Sequence, residues 1–282
     1  MDTLLIIVLI LFIVYLVTAN KKKKKQPPKQ STPTLLTIQD KYRSFEDLQA
    51  SMRKAGLESS QLIFGIDYTR SNNTQGEQTF GGHSLHALVP PLLNPYQKVI
   101  RTLGLVLEPF DDDNMIPVYG FGDSRTKGNN VFNIKTDGGM CNGVSDTLKI
   151  YEQITPHITL SGPTNFAPLI DKAIEIVRSM TSYHILVIIA DGQVTNEADT
   201  IAAIIRASKY PLSIVMVGVG DGPWDTMEDF DDRIKERTFD NFQFVNFHKV
   251  TQGQDFPEVN FALHALMEIP DQFKAIRQLG LL

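Results

Sequence analysis

Five oxygen-bearing side chains stand at positions from which they could share one cation. Asp67, Thr69 and Ser71 alternate in the stretch DYTRS, Thr164 lies in SGPTNF, and Asp191 closes HILVIIAD. Alternate residues of an extended segment face the same side, so the first three side chains can be aimed at a single point. Two carboxylates and three hydroxyls, with no His or Cys among them, form a donor set that hard divalent cations prefer. Mg²⁺ or Mn²⁺ in a small, partly hydrated octahedral site suits it. Only two formal negative charges face such an ion, which leaves it electrophilic enough to accept another oxygen from outside. The same residue types also have simpler uses, since aspartate at a strand end caps helices and Ser and Thr fill turns.

The elements that must position these residues are readable from hydrophobic pattern. The runs QLIFGID, MIPVYGFG, HILVIIADG and LSIVMVGVG are short, rich in β-branched residues and closed by Gly or Asp, as buried strands are. Between them, residues 95–107, 166–177 and 195–207 repeat apolar positions at helical spacing. Strands alternating with helices of this length predict an α/β fold, a doubly wound, mostly parallel sheet with helices on both faces. Phe132 and residues 242–245 read as outer strands. Such sheets bind ligands at the C-terminal ends of their strands. Asp67 and Asp191 both fall on that edge, and the loop carrying Thr164 can reach it. No internal repeat or further boundary interrupts residues 39–282, which read as one domain.

Residues 4–19, LLIIVLILFIVYLVTA, carry no charge and no helix breaker. With Thr3 they would span roughly 25 Å as a helix, near the short end of what crosses a hydrocarbon core. A buried core helix and a cleaved signal peptide are the competing readings. The five lysines at 21–25 oppose translocation, and the segment before the apolar run has no Lys or Arg. Residues 1–20 are therefore expected to be an uncleaved membrane anchor with the body on the cytosolic side and the N-terminus outside. Residues 21–38, rich in Lys, Gln and Pro, read as a solvated linker. Across residues 1–35 six lysines face one aspartate, a local +5. That leaves −10 on the remainder of a chain whose formal total is −5. An acidic body with dispersed basic residues is not a nucleic-acid binder. One Cys excludes a disulfide scaffold, and a composition 42% apolar and 21% charged is that of an ordinary globular protein.

Other stretches carry less. GVGDG at 218–222 lacks the spacing and position of a dinucleotide loop and reads as a strand-to-helix turn. His83 and His86 have no partnering Glu and read as surface or loop histidines. DDDN at 111–114 lacks the Gly and terminal Glu of a calcium loop. A metal-dependent phosphohydrolase using Asp67 would want a second aspartate where Thr69 stands. No Ser-His-Asp or Cys-His arrangement appears, and the chain is read as a binding protein without catalytic machinery.

The set Asp67, Thr69, Ser71, Thr164 and Asp191 resembles the metal-ion-dependent adhesion site of von Willebrand factor A domains. That site has Asp-x-Ser-x-Ser followed by a distant Thr and a distant Asp; Thr69 replaces the first Ser and keeps its oxygen. The blocks GLESSQLIFGIDYTRSN, NPYQKVI, YGFGD, GPTNFAPLID, HILVIIADGQVT, PLSIVMVGVGDGPWDTM and FDNFQFVNF extend the likeness over residues 41–282. They resemble the copine-type A domain, above all its version in plant RING-type ubiquitin ligases. The resemblance implies ligation of Mg²⁺ or Mn²⁺ by the five residues. An ion so held keeps water at an open position that an acidic side chain of a protein partner can fill, and Arg70 and Asn72, beside the ligands, are expected as rim contacts. A structural domain whose ion serves only stability is the alternative. In those ligases a zinc-binding RING follows the A domain, which one Cys cannot supply, so ubiquitin transfer is not carried over. Copines carry paired C2 domains for membrane recruitment; the apolar N-terminal segment would take that role here.

Overall fold

A computed structural model describes residues 44–282 except Ala55, Thr181 and Gln193. The apolar segment 4–19, the lysine run and the linker lie outside the described residues. Among the described residues no helix is long and apolar enough to cross a membrane.

Strand β1 (Gln61–Asp67) is buried at all seven positions, the mark of a strand covered on both faces. It lies between β3 (Val118–Phe121) and β6 (His184–Ala190), and the sheet continues through β7 (Leu212–Gly218) and β8 (Phe242–Asn246). All of these pair in parallel. Strand β4 (Val131–Asn133) closes the other edge beside β3 and is antiparallel. The order β4-β3-β1-β6-β7-β8 makes the chain wind outward in both directions from β1. The gap between β1 and β6 is therefore the switch point where α/β sheets receive ligands.

The expected strand over 115–122 is two elements. Pro117 interrupts it, and β2 (Met115–Ile116) turns away to pair antiparallel with β5 (Cys141–Asn142). Proline has no N–H to give a ladder, but the carbonyl of Pro117 still accepts from the amide of Phe64 at 3.0 Å. Phe132 and residues 242–245 do fall on the two outer strands.

Helix α1 (Phe45–Lys54) precedes β1, and α2 (Pro95–Leu107) follows it. The start of α2 is fixed by a capping box in which Asn94 and Gln97 exchange side-chain and backbone bonds ahead of Pro95. Helix α3 (Gly143–Ile154) comes next, then α4 (Ala167–Ser179), α5 (Glu197–Ala207) and α6 (Asp225–Arg233). The last three pack on one face over Ile63, Leu186, Ile188, Ile214 and Met216. Gly65 lets α4 approach closely, since a Cβ there would lie 2.1 Å from Leu169 Cδ2. The other face is covered by α2 against β1 and by α8 (Pro257–Leu266) against β7 and β8. The short α7 (Phe247–Thr251) and the C-terminal α9 (Ile269–Gln278) complete one compact unit that holds all the described residues.

Candidate metal centre

Beyond β1 the chain stays extended through Thr69 and then turns into a single 3₁₀ turn, Arg70–Asn73. This carries Asp67, Thr69 and Ser71 onto the C-terminal edge of the sheet. The Thr69 hydroxyl lies 3.0 Å from that of Ser71, which donates to Asp191 Oδ1 at 3.1 Å. Asp67 Oδ1 accepts the backbone N–H of Thr69 at 2.7 Å. The remaining oxygen of each carboxylate, Asp67 Oδ2 and Asp191 Oδ2, is buried with no hydrogen-bond partner.

The electrostatics follow from this geometry. Asp67 is fully buried and Asp191 is 1% exposed. Burial first, then the charge of Asp191, hold the Asp67 carboxyl well above its ordinary value. Burial pushes Asp191 up to about 6, against the hydrogen bond from Ser71. Two buried carboxylates with one orphaned oxygen each are the environment a cation relieves. Among the described residues no three His, Cys, Asp or Glu side chains gather as a metal-binding group. A cation here would need the hydroxyls as well as the carboxylates, and a hard ion accepts both.

Four of the five expected ligands are thus brought together, and Thr164 stands apart from their hydrogen-bond chain. Its loop is tied to the site, because Ser161 bridges to Thr69 and accepts the N–H of Arg70 at 2.8 Å. Thr164 itself is buried, and its carbonyl accepts from Thr195. Arg70, next to Thr69 and Ser71, is exposed.

Asn72 is not a rim contact. It is fully buried, and its amide nitrogen donates to the carbonyls of Asp67 at 3.3 Å and Thr69 at 3.2 Å. Its Oδ1 accepts from Tyr96 at 2.6 Å. Burial removes it from contact with a partner. His86 is likewise no surface histidine. Its ring stacks between Tyr68 and Tyr96, at 4.7 and 4.1 Å between centroids. Burial lowers its pKa to about 4, so the ring is neutral. Its Nε2 lies 2.8 Å from the Asp67 carbonyl, which can only accept, so Nε2 carries the proton. Nδ1 then accepts from Tyr151 at 2.8 Å. Tyr96 donates to the same Asp67 carbonyl at 3.2 Å.

Two further residues escaped the sequence reading. Gly122 adopts φ +78°, and a Cβ there would lie 2.4 Å from Thr69 Cγ2. The YGFGD stretch that contains it was the available signal. Asp123, at the end of β3 on the same edge, turns its carboxylate back onto Thr126. In the turn at 218–222, Asp221 clamps the loop after the 3₁₀ turn by accepting from Gln78 and Thr79.

Residues 84–282 match the copine family. Copine family protein 2 of Caenorhabditis elegans is 55% identical over 244 residues, 86% of this chain and 3% of that protein. An E3 ubiquitin-protein ligase of Arabidopsis thaliana is 52% identical over 261 residues, 87% of this chain and 60% of the ligase. The chain therefore spans less than two thirds of either relative. Among solved structures, a mutant of the PilB minor pilin from Streptococcus sanguinis superposes with a TM-score of 0.51 at 11% identity. It covers 78% of this chain and 62% of the pilin chain, a likeness of fold.

Proposed function

The chain belongs to the copine family, and from that premise we propose that its A-type domain binds a protein partner through a divalent cation. Asp67, Thr69, Ser71 and Asp191, with Thr164 from the neighbouring loop, would hold Mg²⁺ or Mn²⁺ at the switch point. When bound, the ion supplies an electrophilic centre to which an acidic side chain of the partner can bind. The observation that carries the reading is the pair of orphaned oxygens, Asp67 Oδ2 and Asp191 Oδ2, buried beside a chain of hydroxyls.

The chain's own residues have distinct parts in this. Ser71 orients Asp191 through its hydroxyl, and the Thr69 amide fixes one oxygen of Asp67. The backbone of Asp67 is held by His86, Tyr96 and Asn72. Arg70 is the exposed neighbour of the site and would contact the partner's rim. Residues 4–19 and the lysines that follow would tether the domain to the cytosolic face of a membrane, where the basic run meets anionic lipid.

The test is a pull-down from the native membrane with the full chain, with and without EDTA, alongside Asp67→Ala. The proposed function expects the partner to be released by the chelator and absent with the variant. A partner that survives both places the contact elsewhere on the domain.

A further inference from the structure

Away from the metal edge, a groove of about 650 Å³ runs between α2 and the segment joining α7 to α8. Exposed large apolar side chains gather there. Leu92 is 47% exposed, Leu105 39% and Phe256 52%. Its two banks carry opposite charge, with Lys98 and Arg101 on α2 and Asp255 and Glu258 around the start of α8. Among the described residues none of these four has an ion pair or a side-chain hydrogen bond.

We infer that this groove is the contact face between two copies of this chain, related by a two-fold axis. In a two-fold contact each residue meets its complement and is met in return. The positive bank of one copy then lies on the negative bank of the other, twice over, with Phe256 of each entering the apolar floor opposite. Charge also selects the occupant. Residues 36–282 carry a net −10, so copies repel over most of their surface. This face sums to zero and is its own complement. An anionic membrane or a nucleic acid would meet Asp255 and Glu258 as well as the basic bank, and both are disfavoured.

The test exchanges one bank at a time in the full-length chain, followed by sedimentation velocity in one detergent throughout. Lys98→Glu with Arg101→Glu makes both banks acidic; Asp255→Lys with Glu258→Lys makes both basic. All four positions are at the surface, and matched thermal unfolding checks that each variant folds. The wild type is expected to dimerise with rising concentration, and each variant alone to lose on the order of a hundredfold in self-association. An equal mixture of the two variants should associate again as a one-to-one complex. Phe256→Ser in both members of that mixture should abolish the recovery. A wild type that stays monomeric would overturn the inference, as would a mixture no better than its parts. So would a mixture indifferent to Phe256→Ser.

Discussion

Asp191→Asn is expected to make the metal-free protein more stable and indifferent to divalent cations. Asp191 is buried, and its carboxyl is pushed from 3.8 up to about 6, chiefly by burial. The folded state therefore holds this proton more tightly than the unfolded state does. Stability from the group is complete below about pH 4, falls as pH rises to about 6, and stays lost above that. A rise from 3.8 to about 6 corresponds to roughly 3 kcal/mol at neutral pH. The amide abolishes that ionisation. Its oxygen can still accept from Ser71, and its new N–H can donate toward the orphaned Oδ2 of Asp67. Imperfect satisfaction of the new donor takes back part of the gain, leaving about 1–3 kcal/mol. At about 2–4 °C per kcal/mol for a domain of this size, the melting temperature should rise by a few to about ten degrees. Thermal unfolding in chelator, then in excess Mg²⁺, reads both parts. Wild type should gain about 2.7 kcal/mol once the ion reaches a hundred times its Kd, and the variant nothing. A variant that melts below wild type in chelator, or that still responds to Mg²⁺, refutes the reasoning.

In metal-free wild type the melting temperature should fall more steeply between about pH 4 and 6 than in Asp191→Asn, because the variant keeps the Asp67 carboxyl but lacks that of Asp191; melts across that range in chelator compare the slopes. Tyr96→Phe leaves Asn72 Oδ1 buried without its donor, a cost of about 1–3 kcal/mol, and should weaken Mg²⁺ binding by calorimetry as the Asp67 main chain loosens. Gly122→Ala combines an unfavourable φ with a collision at Thr69; it should lower both stability and the Mg²⁺-dependent thermal shift, and an unchanged shift would show that Thr69 is not needed in place. Arg70→Ala should keep the thermal shift in full while costing partner affinity on the order of 1 kcal/mol, measured by titrating the partner at saturating Mg²⁺.

The legible parts of the fold were those set by local pattern. Helix α2 begins and ends where its periodicity does, because Asn94, Pro95 and Gln97 write the cap into the sequence. Strands β1 and β6 are continuous apolar runs, and their terminal aspartates fall on one edge once the sheet is parallel. Spacing failed where it changed kind. Alternation from Asp67 to Ser71 is a property of extended chain, and it lapses in the 3₁₀ turn that places Asn72 inward. His86, Tyr96 and Tyr151 come from a loop and two helices and meet only in the folded molecule. Whether a polar loop residue is buried depends on such distant partners, and no local spacing encodes them. Pro117 was the opposite case, a readable break inside a run whose apolar character outweighed it.

The scaffold behind the site also explains how its repulsion is tolerated. Two buried carboxylates facing one another would move apart unless the main chain resisted. Three groups converge on the Asp67 carbonyl: His86 at 2.8 Å, Asn72 at 3.3 Å, and Tyr96 at 3.2 Å, which shares its one proton with Asn72 Oδ1. None of the three reaches the carboxylate. A donor on Oδ2 would satisfy it and compete with a cation for the same lone pairs, so holding the backbone alone keeps the site both placed and available. The neutrality of His86 fits this division. With its pKa near 4, the ring keeps one proton, on Nε2, across the physiological range, and the bond to Asp67 does not switch with pH. Charge at this edge then changes only through the carboxylates themselves and whatever cation they take up, while the network that aims them stays fixed.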